Sequence, residues 1–219
     1  KTEQELTEQD EMVAGTVSIG CGDLDAVQML PALLRAFHQR YPAVSFDLYT
    51  GIADHIKDRM DRGVTDLGLL LEPVDMEKYD FIRLNRRERW VVAMHPEAPL
   101  AKLERVTPED LKGLPLILPR RSNVQNELAN WFGGDWDKLN ILFTANLPST
   151  SSIMVHHQLA YALIIQGSIS FWDKEKITYR PLHPELLATS VLAWKRQQPF
   201  GLAAEKFIAF ARETLQLSQ

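Results

Sequence analysis

The stretch that decides the fold is Gly15-Thr16-Val17-Ser18-Ile19-Gly20-Cys21-Gly22-Asp23, which predicts a buried strand followed by a glycine-rich turn. A helical pattern comes directly after it, with apolar residues three and four apart at Val27, Leu30, Leu34, Phe37 and Tyr41. The order places a helix N-terminus beside a turn with little side-chain bulk. We therefore expect backbone N–H groups at this turn to be free to meet a ligand.

The next two strands continue the same pattern. Polar and apolar residues alternate over 44–49, which predicts a strand, and apolar residues four apart over 52–60 predict a short helix. The apolar run 67–71 is typical of a strand that is covered on both faces. The resulting β-α-β-α-β order predicts a parallel sheet with right-handed, helical crossovers.

The remainder of the chain repeats this strand, loop and helix order. Strands are predicted at 90–94, 114–118, 139–145, 162–165, 177–182 and 190–194. Helices are predicted to begin at Thr107, at Ser122 (with Gln125 in a capping box) and at Ser151. Apolar residues from Ala204 to Leu215 predict a last helix, which we expect to pack on the first lobe.

Composition narrows the class of protein. The 219 residues carry a net charge of -5, which argues against binding of this chain itself to the phosphate backbone of a nucleic acid. A longer protein that contains this chain could still have a nucleic-acid partner. The single cysteine, Cys21, excludes an internal disulfide and fits a reducing, cytoplasmic location. No run reaches the length of a membrane span and no signal peptide is evident.

Catalytic and metal-binding patterns are weak. His156 and His157 are adjacent, so on a helix their side chains point about 100° apart, and we predict neither a metal site nor a cofactor. Cys21 is either a small buried side chain or a thiol activated by the following helix, but no base accompanies it. Asp23 and Asp25 could act as acid–base groups or could cap that helix. We predict that the chain is not an enzyme.

Loops that precede helices are the better candidates for function, because in open α/β sheets such loops gather where ligands bind. Hydroxyls, glycines and helix N-termini in these loops suit a small molecule, including an anionic one. Arg120 and Arg121 could strengthen such a site or could be solvated loop residues. The predicted ligand-binding residues are Cys21, Gly22, Asp23, Leu24, Gly51, Ile52, Arg121, Ser122, Asn123, Pro148, Ser149 and Thr150.

Three groups of residues resemble the effector-binding domain of LysR-type transcriptional regulators. The first is Gly15-x-Val17-x-Ile19-Gly20 with Leu30-Pro31-x-Leu33-Leu34-x-x-Phe37-x-x-x-Tyr41-Pro42-x-Val44. The second is Gly63-x-x-Asp66-Leu67-Gly68-Leu69. The third comprises Trp90-Val91-Val92-Ala93-Met94-His95-Pro96-x-x-Pro99-Leu100 and Leu111-x-Gly113-x-Pro115-Leu116-Ile117. The order and spacing of these groups carry the resemblance, which covers residues 12–212.

The resemblance implies an α/β fold of two Rossmann-like lobes joined by two crossing strands, similar to type 2 periplasmic binding proteins. Lobe I would comprise 12–91 and 182–219, and lobe II would comprise 92–181. Residues 1–11 would be the end of a linker helix or a tail. An effector would bind in the cleft between the lobes.

The resemblance also implies a homodimer, in which the first lobe's long helix packs against the second lobe of the partner. The dimer residues it nominates are Met29, Ala32, Ala36, Val124, Leu128 and Trp131. Met29, Ala32 and Ala36 could equally be a lightly exposed surface. DNA would be bound only through an N-terminal winged helix-turn-helix outside this chain. The alternative function is a solute-binding protein of a transport system with the same fold.

Overall fold

The computed structural model of the chain describes residues 13–216, so the predicted linker helix or tail at 1–11 lies outside the described residues. The described chain forms two compact units. The first unit contains 13–22, 26–86 and 189–216, and the second contains 23–25 and 87–188. The lobe boundaries drawn from the sequence stay a prediction.

Five α-helices and nine strands make up the described chain. The helices are α1 (Leu30–Arg40), α2 (Ala53–Asp61), α3 (Ser122–Phe132), α4 (Pro148–His156) and α5 (Leu202–Gln216). The strands are β1 (Gly15–Cys21), β2 (Val44–Thr50), β3 (Leu67–Leu71), β4 (Tyr79–Met94), β5 (Leu116–Pro119), β6 (Ile141–Ala145), β7 (Tyr161–Ile165), β8 (Thr178–Pro181) and β9 (Leu187–Lys195). β4 and β9 each run from one unit into the other.

The first unit has the strand order β2-β1-β3-β9. β1 is parallel to both β2 and β3, which confirms the predicted β-α-β-α-β unit, and β9 is antiparallel to β3. β2 lies at the end of this order, and its Leu48 is 60% exposed. Val44 is buried at the start of the same strand, so the apolar residues of β2 are covered only in part, as is usual for an edge strand.

The buried face of α1 differs from the predicted stripe by one residue. Leu33 is buried and Leu34 is only half-buried, whereas the sequence pattern placed Leu34 in the core. The other members of the stripe within and after the helix, Leu30, Phe37 and Tyr41, are buried as predicted. Val27 lies in the 3-10 turn Asp25–Met29 that precedes α1, and it is half-buried.

Two paired glycines allow α2 to pack closely on the sheet. Gly20 of β1 and Gly68 of β3 are partners in the ladder. A Cβ atom on Gly20 would lie 2.6 Å from Cγ2 of Ile56, and a Cβ on Gly68 would lie 2.9 Å from the same atom. Ile56 is fully buried, so these glycines provide the space for its side chain.

The last helix belongs to the first unit, as predicted. α5 packs on β1 and α1. Phe207 is fully buried and meets the ring of Phe37 edge-on at 5.0 Å between centroids. The stripe at Ala204, Phe207, Ile208 and Ala211 is buried throughout.

The second unit has the strand order β4-β7-β5-β6, with β8 paired to β4. β5 is parallel to β6 and β7, whereas β4 is antiparallel to β7 and β8. The helix predicted to begin at Thr107 is only a 3-10 turn over Glu109–Leu111. Pro108 holds the N-cap position, and Asp110 ties the turn to Thr107 by accepting hydrogen bonds from the Thr107 N–H and hydroxyl at 2.8 and 2.7 Å.

The start of α3 differs from the predicted capping box. Ser122 is the first helical residue, and Arg121 holds the N-cap position without a side-chain hydrogen bond to the helix. The predicted Ser122–Gln125 capping box is absent. Instead, the Gln125 side chain donates to the carbonyl of Pro119 at 2.8 Å and ties the first turn to the end of β5.

Candidate ligand-binding site

The strand-end loops of the first unit are closed by backbone hydrogen bonds. The Gly22 N–H donates to the Leu69 carbonyl and the Gly51 N–H donates to the Cys21 carbonyl, both at 3.0 Å. The expectation that these glycine N–H groups are free for a ligand was therefore wrong: strand neighbours already accept them. Cys21 is buried, in agreement with its interpretation as a small core side chain.

Gly51 and Ile52 lie where β2 turns into α2. Gly51 is buried, and a Cβ atom there would lie 2.8 Å from the Tyr49 ring, so this glycine is needed for packing. Ile52 is half-buried and occupies the N-cap position of α2, without a side-chain hydrogen bond to the helix. The loop offers a ligand little beyond the backbone and apolar surface of Ile52.

Asp23 and Leu24 belong to the second unit, although the residues on either side of 23–25 belong to the first. Leu24 is buried. Asp23 is half-buried, and burial raises the pKa of its carboxyl above the ordinary value because the charged form loses hydration. A carboxyl of this kind holds its proton to a higher pH than an exposed aspartate does.

In the second unit, two helices begin at the same edge of the sheet. β5 and β6 are parallel neighbours, with Pro119 opposite Ala145 at their carboxyl ends. α3 follows β5 and α4 follows β6, and the Arg120 N–H donates to the Ala145 carbonyl at 3.0 Å between the two loops. The residues predicted at Ser122 and Asn123 and at Ser149 and Thr150 are therefore brought to one edge of this unit.

These paired helix starts have the chemistry of an anion site. Neither N-cap residue, Arg121 or Leu147, makes a side-chain hydrogen bond to its helix. The first N–H groups of a helix have no acceptor within it, and the helix dipole is positive there. The side chains at the two starts are exposed and polar, at Ser122, Asn123, Ser149 and Thr150. Pro148, Ser149 and Thr150 form the first turn of α4 rather than the predicted loop.

The two loop arginines differ in their surroundings. Arg120 is exposed, which fits the interpretation as a solvated loop residue, whereas Arg121 is only 8% exposed. Arg121 lies directly before the first turn of α3, so its buried guanidinium is part of the structure at the helix start.

The predicted dimer residues on α3 need a correction. Val124 and Leu128 are 3% and 0% exposed, so both side chains belong to the core of the second unit and are unavailable to a partner. Trp131 is half-buried, and its indole N–H donates to the Pro184 carbonyl at 2.7 Å. On α1, Ala32 and Ala36 are exposed and Met29 is half-buried.

One functional candidate escaped the sequence analysis. Glu88 is fully buried in β4, and its Oε2 accepts the Asp25 N–H at 2.8 Å. A signal exists in the sequence, because Ile82, Leu84, Glu88 and Trp90 share one face of an alternating strand. The apolar run predicts the strand only from Trp90 onward, so Glu88 lies outside the predicted strand.

Within residues 13–216, no group of three histidine, cysteine or acidic side chains is arranged to hold a metal ion. Among the same residues, no helix is both long and apolar enough to cross a membrane.

Two α/β units, each with helix-covered parallel strands, define a ligand-binding domain of the type 2 periplasmic-binding-protein kind. Residues 10–216 match the family described as the LysR substrate binding domain, and the chain belongs to this family. The predicted family and fold class are thereby confirmed.

Relatives agree with this assignment. The chain is 27% identical over 214 residues to the uncharacterized HTH-type transcriptional regulator YvbU of Bacillus subtilis, covering 97% of this chain and 72% of that protein. It is 26% identical over 203 residues to the Hca operon transcriptional activator HcaR of Escherichia coli, covering 91% and 68%. These relatives are transcriptional regulators, neither enzymes nor transport solute-binding proteins, as the sequence analysis expected.

A solved structure supports the fold. The effector binding domain of QuiR in complex with shikimate superposes with a TM-score of 0.78 at 15% identity, covering 94% of this chain and 99% of that one. At this identity the likeness concerns the fold alone.

Proposed function

We propose that this chain senses a small, carboxylate-bearing metabolite for a transcriptional regulator, and that the paired starts of α3 and α4 hold its anionic group. The observation that carries the proposal is the pair of uncapped helix N-termini at one edge of the second unit, with exposed hydroxyls at Ser122, Ser149 and Thr150. Shikimate, which QuiR binds, is a carboxylate and supports this ligand class.

The regulatory mechanism that we propose is a population shift. The effector binds one conformation of the domain better than another, and the equilibrium moves toward that conformation by the difference in binding free energy. DNA-binding domains attached to two such chains would then sit differently on their sites. Family membership and the named regulators among the relatives support this mechanism. The effector's position between the two predicted lobes stays a prediction.

Carboxylate recognition is tested by a thermal-shift screen of small carboxylates, each paired with its neutral amide. A ligand that binds only the folded state raises the melting temperature with its concentration, and at 100 times Kd the stabilisation is about 2.7 kcal/mol. We expect carboxylates to raise the melting temperature while their amides do not. Equal shifts for acid and amide, or no shift for any acid, would contradict the proposal.

Dimer formation through α1 is also a proposal. Ala32 and Ala36 are exposed and small, so they allow another helix to approach closely. An arginine in this surface would have to be buried in a close contact, which is costly. We expect Ala32→Arg to be monomeric in sedimentation velocity, with Arg35→Ala, an exposed neighbour on the same helix, as a control for helix integrity. A dimer that survives Ala32→Arg would remove α1 from the interface.

A further inference from the structure

A cavity of about 350 Å³ lies in the second unit, against the exposed face of β4. Its volume falls in the range of roughly 300–1,000 Å³ that is typical of small-molecule pockets. Its wall comes from β4, from the turn after β7 and from the segment that leads into β9. The main lining residues are Arg87, Arg89, Gln166, Ser170, Glu185 and Leu187, all within the second unit.

Two arginines of β4 differ in their partners at this cavity. Arg87 and Arg89 are two residues apart on a strand and both exposed, so their side chains point to the same face. The Arg89 guanidinium forms an ion pair with Oε1 of Glu185 at 2.8 Å. Within residues 13–216, the Arg87 guanidinium has neither an ion pair nor a hydrogen bond. Arg87 therefore brings to the cavity a positive charge that is available to a ligand.

The cavity also offers acceptors for hydroxyl groups. The Ser170 hydroxyl donates to the Gly167 carbonyl at 3.0 Å, which leaves its oxygen as an acceptor. A carboxylate accepts several hydrogen bonds, so Glu185 can accept from a ligand hydroxyl as well as from Arg89. Asp25 is the other acidic residue of the wall, and its backbone N–H donates to Glu88. Acids in the wall disfavour a bare anion and favour a ligand that also has hydroxyl groups.

We propose that this cavity binds a small hydroxy acid. The Arg87 guanidinium holds the ligand's carboxylate, because its planar set of donors matches the two carboxylate oxygens. Glu185 and Ser170 accept hydrogen bonds from the ligand's hydroxyl groups.

The cavity is separate from the paired starts of α3 and α4. In the strand order β4-β7-β5-β6, those helices follow β5 and β6, whereas the cavity lies at β4 and after β7. Arg87 and Leu187 lie at or next to the ends of the segment 87–188, where β4 and β9 pass into the first unit. A molecule bound here therefore contacts both of these strands.

An NMR titration of the 219-residue chain tests the site, with gluconate as the probe. Gluconate has a carboxylate and a hydroxyl group on every other carbon of its chain. Sorbitol has a chain of the same length with hydroxyl groups and no carboxylate, and hexanoate has the carboxylate without the hydroxyl groups. The amides of Gln166, Gly167 and Ser170 report on the cavity.

We expect gluconate to shift the cavity amides to saturation in the wild type, and sorbitol and hexanoate to bind at least about tenfold more weakly. Arg87→Gln removes the charge from an exposed side chain, and the gluconate affinity measured at these amides should fall about tenfold. Should Arg87→Gln fail to fold, the comparison of the three probes on the wild type decides.

Lys138→Gln is the matched control, because it also removes one exposed positive charge from the second unit. Lys138 precedes β6, whereas the cavity turn follows β7, and β5 is parallel to both strands. The two positions therefore lie at opposite edges of the sheet. We expect Lys138→Gln to change the gluconate affinity by less than about twofold.

Three results would overturn the cavity site. They are no saturable shift of its amides by gluconate, a response to sorbitol or hexanoate as strong as that to gluconate, and unchanged gluconate affinity in folded Arg87→Gln. The amides of Ser149 and Thr150 report separately on the anion site proposed at α4. Their silence would count against that site and leave the cavity result standing, whereas a gluconate response confined to them would overturn the cavity site alone.

Discussion

The two units have the same β-α order, but they differ in the hydrogen bonding of the residues that follow the parallel strands. In the first unit, Gly22 follows β1 and Gly51 follows β2. Their N–H groups donate hydrogen bonds to the carbonyls of Leu69 and Cys21. In the second unit, the turns after β5 and β6 lead into helices that have no side-chain cap and present exposed hydroxyls. A glycine-rich turn therefore indicates close packing here, whereas the hydroxyl-bearing helix starts carry the anion site that we propose.

The largest expected effect concerns packing in the first unit. Gly20→Ala places a Cβ 2.6 Å from the buried Ile56 side chain, so we expect it to lower the free energy of unfolding by about 1–3 kcal/mol. The measurement is urea denaturation followed by circular dichroism. The control is Gly134→Ala, whose Cβ would have no atom within 4 Å, and which should change stability by less than about 0.5 kcal/mol. Equal stability of the two variants would show that Gly20 is not a packing glycine.

A second test compares the strand-end loops of the two units, with one threonine substituted in each loop. Thr150→Asp places a negative charge in the first turn of α4, and we expect the affinity for a carboxylate found in the thermal-shift screen to fall about tenfold, or about 1.4 kcal/mol. The same change should stabilise the fold by about 0.3–1 kcal/mol, because an acid favours a helix N-terminus. Isothermal titration and thermal melting measure the two effects, which have opposite signs.

The matched control for that experiment is Thr50→Asp. Thr50 is also exposed, and it ends β2 in the first unit. We expect its affinity for the same carboxylate to differ from that of the wild type by less than about twofold, a fraction of 1 kcal/mol. If Thr50→Asp weakens binding as much as Thr150→Asp does, the two ends are equivalent and the contrast between the units fails.

The smallest expected effect on stability concerns an ion pair directly after β3. Glu72 accepts two hydrogen bonds from the Arg83 guanidinium at 3.0 Å and one from the Thr189 hydroxyl. The Arg83 hydrogen bond is the main cause that lowers the pKa of Glu72 below its ordinary 4.5, with smaller help from Thr189. Because Arg83 is largely exposed, we expect Glu72→Gln to cost at most about 1 kcal/mol at neutral pH.

The pH dependence of that effect follows from the direction of the shift. A carboxyl whose pKa is lowered by folding stabilises the protein above its unfolded pKa, and the stabilisation disappears as the pH falls through the folded pKa. The stability difference between the wild type and Glu72→Gln should therefore be present at neutral pH and shrink below about pH 4.5. A difference that stays constant in urea denaturation from pH 7 to pH 3 would contradict this account, at the roughly 1 kcal/mol scale of the pair.

Periodicity predicted much of the fold because it reflects burial directly. The parallel strands β1, β2 and β3 and the packing of α5 on the first unit were all predicted. The first half of β4 was not, because Arg86 and Glu88 fall in the same phase as Ile82, Leu84 and Trp90 and interrupt the apolar alternation. In α1 the predicted stripe was wrong only in placing Leu34 rather than Leu33 in the core.

The candidate site was predictable in location but not in hydrogen bonding. Sequence order places Ser122 and Ser149 after strands, and parallel pairing brings their helices to one edge. Whether an N–H at such an edge is available depends on partners that are distant in sequence, such as Leu69 for Gly22 and Glu88 for Asp25. Local patterns carry no information about these partners.

The order of segments in the first unit has a consequence for biosynthesis. Its sheet needs β9 and its helix layer needs α5, yet both contain residues that follow 188. Apart from 23–25, the second unit is one continuous segment, 87–188. Domains tend to fold as units while the chain emerges from the ribosome. The second unit can therefore mature on the ribosome while β1 and β3 still await their last neighbours, and a nascent chain halted near residue 188 would expose the side of β3 that β9 later covers.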